Sequence, residues 1–94
     1  MPNHPPQYKV IRTEDFVQKT QLLRKTYSRI PELIDAADWM LMRKPHTFMV
    51  VADQFYLWRT DKLTNPEFPM INILYKIDET EKTVTMIAID DVID

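Results

Sequence analysis

Met70-Ile71-Asn72-Ile73-Leu74-Tyr75-Lys76-Ile77-Asp78 is the stretch whose reading decides the fold. Its odd positions, Ile71, Ile73, Tyr75 and Ile77, are core-like, and Asn72, Leu74, Lys76 and Asp78 take the other face. A period of two is the mark of a β-strand with one buried side. Downstream, Glu79–Lys82 turns the chain and Thr83–Ile89 returns as a last strand, leaving Asp90-Asp91-Val92-Ile93-Asp94 as an acidic tail. Upstream, 60–69 contains Asn65-Pro66 and Pro69 and reads as a loop. Before it, Phe48–Ala52 and Phe55–Arg59 are β-rich runs around Asp53-Gln54, which predicts a hairpin. Gln adopts positive φ poorly, so that hairpin is expected to carry a longer or bulged turn.

Ahead of these strands the period lengthens. Thr13 followed by Glu14-Asp15 is a helix start: a hydroxyl to cap free N–H groups, then acids at the positive end of the dipole. Phe16, Thr20, Leu23, Tyr27 and Ile30 recur at spacings of four and three, one face of a helix. A second helix is predicted from Pro31, with Ser28 as its cap and Leu33/Ile34, Ala37 and Met40/Leu41 as its stripe. Arg43 and Lys44 suit its C-terminal end, and Pro45 stops it. Tyr8–Arg12 reads as a short strand, and 1–6, with three prolines, as a flexible tail. The expectation is an α+β domain of order β-α-α-β-β-β-β, with an N-terminal strand and a helical hairpin packed on a small antiparallel sheet.

Composition removes many functions. The chain has 94 residues, enough for one small domain, and 45% are hydrophobic. There is no Cys, which excludes disulfides, thiolate metal sites and thiol nucleophiles. There is no Gly either, where ordinary usage would give about six or seven. Phosphate-cradling Gly-rich loops are therefore excluded, and turns fall to Asp, Asn and Pro. No apolar run approaches the length of a membrane span and Met1–Pro6 is no signal peptide, so a soluble, cytoplasmic domain is expected.

Net charge is −2 and unevenly spread. Residues 1–44 carry eight Lys/Arg against five acids, and 45–94 carry four against nine. Lys19, Arg24, Lys25 and Arg29 fall away from the predicted core stripe and are candidate partner-binding cations. Arg59, Lys62 and Lys76 are candidate phosphate-binding residues on the sheet. The aromatics Phe55, Tyr56, Trp58 and Tyr75 suggest base stacking, although strand aromatics more often fill a core, and Tyr75 is placed with its isoleucine neighbours inward. His4 and His46 are the only imidazoles and have no metal-ligand spacing, so no metal or cofactor is expected.

Phe55-Tyr56-Leu57-Trp58-Arg59, Asn72–Asp78 and Lys82–Ile89 together resemble the sheet half of the RelE/ParE toxin superfamily. There an Arg-bearing strand is followed by one reading roughly R-[VI]-[VI]-Y-x-I-D, a short turn with Lys and a closing apolar strand. The opening Tyr8-Lys9-Val10 and the two helices resemble the same layout, so the resemblance spans a single domain over 7–94. It implies a toxin-like component of a toxin–antitoxin module, acting on mRNA or the ribosome and neutralised by a bound antitoxin protein. Arg59 matches the strand-end arginine, the one candidate for an endoribonuclease role, and Tyr75 matches the strand tyrosine. Asn72 stands where the family has an arginine, and Asp90-Asp91-Val92 stands where it has a basic ending. RNA cleavage depends on cations that stabilise charge on the phosphorane. Little or no cleavage is therefore expected, and a non-catalytic interaction module is the alternative.

Overall fold

The computed structural model describes residues 7–60 and 69–92. The 1–6 segment, Lys62 and most of the 60–69 loop lie outside those residues. The elements run β1 (Lys9–Arg12), α1 (Glu14–Thr26), α2 (Ile30–Leu41), a 3-10 turn at Pro45–Thr47, β2 (Met49–Ala52), β3 (Phe55–Arg59), β4 (Ile71–Asp78) and β5 (Thr83–Asp91). This is the predicted order.

The stretch that decided the reading sits in the middle of the sheet, whose order is β1-β5-β4-β3-β2. Ile71, Ile73, Tyr75 and Ile77 on β4 are buried and the residues between them are not. Trp58, Val84, Met86 and Ile89 from the flanking strands join them against Phe16 and Leu23 of α1 and the apolar stripe of α2. The helices therefore cover one face of the sheet and leave the other open. Thr13 caps α1 as expected, its hydroxyl accepting from the Phe16 amide at 3.1 Å. A bulge falls between Val50 and Ala52, and Asp53 takes a positive φ of 45°, so the tight turn is made without glycine.

Four expectations need correction. The sheet is mixed, because β1 pairs parallel with β5, Val10 lying opposite Val84. The helices carry the chain from β1 across one face, and β1 docks on the edge that β5 would otherwise leave open. Asp90 and Asp91 are no tail: they extend β5 opposite Asn72 and Ile71. Ser28 does not cap α2. Arg29 takes that position without a side-chain cap bond, and Pro31 fills the first turn, where a missing N–H costs little. The strand expected over 48–52 begins at Met49.

Candidate functional site

Cross-strand partners share a face, so the register places the candidate cations. Arg59 lies opposite Asn72, and Asn72 lies opposite Asp90. The three form one row on the open face, with Asp90 two strand spacings, about 10 Å, from Arg59. Lys76 is on the same face, opposite Phe55 at the other end of β3. Four residues separate those rows, about 13 Å along the strand. Arg59 and Lys76 therefore share a face without converging on one point.

Within the Arg59 row, Nε of Arg59 and Oδ1 of Asn72 are both buried and have no hydrogen-bond partner among the described residues. A donor and an acceptor held unpaired side by side are costly to the fold. Asp90 is engaged from the helix side, where Lys19 reaches it at 3.4 Å. This contact is possible because β1 covers β5 only as far as Met86, and α1 begins beside that point with the Thr13 hydroxyl donating to the Ile87 carbonyl at 3.0 Å.

The four helical cations do not form one stripe. Lys19 pairs with Asp90, and Arg29 pairs with Glu32 at 2.7 Å, which holds the Glu32 carboxyl below its ordinary range. Arg24 and Lys25 end α1, exposed, and make no ion pair with another described residue. Arg12, which was assigned no role, pairs with Asp38 of α2 and ties the first strand to the second helix.

At the opposite end of the sheet a second cluster gathers from four distant parts of the chain. The Tyr8 hydroxyl donates to both Glu79 carboxylate oxygens, at 2.7 and 3.0 Å. His46 Nε2 meets the same carboxylate at 2.8 Å and Lys82 Nζ at 3.2 Å. These donors hold Glu79 below its usual carboxylate range, Tyr8's hydrogen bond most of all. Burial and the carboxylate push the Tyr8 hydroxyl up, and Glu79 raises Lys82. The His46 ring packs edge-on against Tyr8 and Tyr56, and Tyr56 stacks on Tyr75 at 5.6 Å. Tyr75 is fully buried, its hydroxyl donates to the Pro45 carbonyl at 2.5 Å, and burial raises its pKa strongly.

Reading the residues in order missed this cluster, since nothing local joins Tyr8 to Glu79, 71 positions later. The one legible fragment was the turn over Glu79–Lys82. The structure also separates His46, the one imidazole among the described residues, from Arg59: His46 packs at the Phe55 end of β3 and Arg59 closes the other end. Among the described residues no group of three or more His, Asp or Glu could hold a metal ion. No described helix is long and apolar enough to cross a membrane.

No family model matches the chain, and no curated protein does. Among solved structures it is similar to a chain of the toxin–antitoxin complex RelBE2 from Mycobacterium tuberculosis, at 18% identity and a TM-score of 0.71, with 100% of both chains covered. The RelE-like fold that the resemblance implied is thus the fold observed.

Proposed function

We propose that this chain is the toxin-like component of a toxin–antitoxin module, that it acts on translation by binding mRNA or the ribosome without cleaving RNA, and that an antitoxin protein holds it. The observation that carries the reading is the end-to-end likeness to a chain of a toxin–antitoxin complex. The open sheet face supports the binding part. Arg59 and Lys76 sit on it about 13 Å apart, a spacing suited to two phosphates of one strand rather than a single one. Lys62 follows Arg59 three positions later in the sequence.

The same face argues against turnover. Cleavage needs cations around the phosphorane and a group that moves a proton. Arg59 has a neutral amide beside it and a carboxylate in the next strand, and His46, the one imidazole among the described residues, lies at the other end of the sheet. Losing one well-placed charge-stabilising donor typically costs about 10²–10³ in rate, and here two family positions are altered. Asp90 within the basic row favours a second reading: a module of this fold that works by occupying a protein partner.

Induced expression with and without the neighbouring reading frame tests the module, with growth arrest relieved by the neighbour as the expected result. Purified protein should co-sediment with ribosomes and leave a labelled mRNA intact. Robust cleavage abolished by Arg59→Ala would restore an enzyme. Arrest without ribosome association would select the protein-occupying module.

A further inference from the structure

We infer that the cavity at the β2–β3 turn end of the sheet binds a guanidinium group, presented as an arginine side chain by a bound polypeptide. The cavity has a volume of about 510 Å³, within the range of ligand pockets. It lies at the end of β3 opposite Arg59, so the inference stands apart from the proposed function. His46 and Tyr56, whose rings pack edge to face, line it together with Phe55, Ile77 and the acceptor-bearing Asp53, Gln54 and Glu79. Among the described residues neither Lys nor Arg lines it.

That lining selects its ligand. Carboxylates without a lining cation repel phosphate. A guanidinium is planar, offers five donors in a fork and stacks on aromatic faces, so rings and carboxylate oxygens on one wall match it on both counts. The two carboxylates are not equivalent. Glu79 is already bonded by Tyr8, His46 and Lys82. Asp53 is exposed and makes no ion pair with another described residue, so it supplies the uncompensated charge.

The surroundings point to a polypeptide as the source. β2 ends the sheet order, so its outer edge has no strand beside it among the described residues. Met49, Val50 and Val51 on it are each more than half exposed. A chain whose arginine fills the cavity would run on over this apolar, uncharged strand, whereas a free polyamine would gain nothing there.

Chemical-shift titration tests the inference with three probes: an alanine pentapeptide with a central arginine, the same peptide with citrulline, and spermidine. Saturable shifts at His46, Phe55 and Tyr56 are expected with the arginine peptide alone. Asp53→Asn should weaken them by about fivefold, the range of an exposed ion pair, while melting as wild type does, because Asn tolerates positive φ. Equal binding of the citrulline peptide, an unchanged affinity in Asp53→Asn, or the absence of shifts at these residues would overturn the proposal. Tighter binding of spermidine than of the arginine peptide would overturn the polypeptide source.

Discussion

On the helix side of β4, Ile71, Ile73, Tyr75 and Ile77 are at most 4% exposed, whereas Asn72, Leu74, Lys76 and Asp78 on the other side keep contact with solvent. The first set is packed by side chains from both helices and both neighbouring strands. The second set is uncovered by any described helix, and its row through Arg59, Asn72 and Asp90 includes buried polar atoms with no partner among the described residues. Folding demands the first face and would be served at least as well by a different second one. Orphaned polar atoms occur elsewhere among the described residues too, at Asp38 and Arg43, so what the second face offers a ligand is its accessible polar groups.

The largest effect expected from this contrast is at Tyr75. Tyr75→Ala should destabilise by about 3–5 kcal/mol, as truncation of a buried aromatic does. A denaturation midpoint like that of wild type, combined with lost activity, would move Tyr75 to the substrate side. Tyr75→Phe keeps the stack on Tyr56 and leaves the Pro45 carbonyl without its donor. A loss of about 1–3 kcal/mol is expected from that, read by the same denaturation. On the open face, Lys76→Ala should change stability by no more than about 0.5 kcal/mol, and Arg59→Ala should not lower it, since it removes a buried donor that has no partner among the described residues. Both should reduce co-sedimentation with ribosomes. A large loss of stability in either would make the open face structural.

Acid sharpens the comparison at the Tyr8–Glu79 cluster. Glu79 is held below its ordinary value of 4.5. Its bonds therefore stabilise the fold above that value and are lost as pH falls through the depressed one. A stability profile between about pH 5 and 3 should fall more steeply for wild type than for Glu79→Gln, and identical profiles would refute the assignment. The smallest effect is expected on α1. Arg24→Glu with Lys25→Glu should leave the fold intact and weaken antitoxin binding, with a steep fall in wild-type affinity from low to high salt. An affinity flat with salt would reduce these cations to a solvated helix end.

Much of the fold was legible because its signals are local. The alternation in 70–78, the Thr13 cap and the Asp53-Gln54 irregularity each depend on residues within a few positions of one another, and each appears in the structure. Arg59 and Lys76 were legible as residues on one sheet face, but their separation was not, since only the β3–β4 register sets it. The four helical cations read as one group until Asp90 and Glu32 paired with two of them.

What the sequence by itself determined is the pattern of elements, the inward face of β4 and the absence of Gly- and Cys-based chemistry. Only the tertiary structure decided that β1 runs parallel to β5, that Asp90 enters the Arg59 row, and that Tyr8, His46 and Lys82 converge on Glu79. The physical reason is range. Periodicity and capping are set by covalent neighbours a few residues apart. Strand pairing between β1 and β5 brings together residues more than 70 positions apart, and which edges meet depends on how both helices close over the shared core.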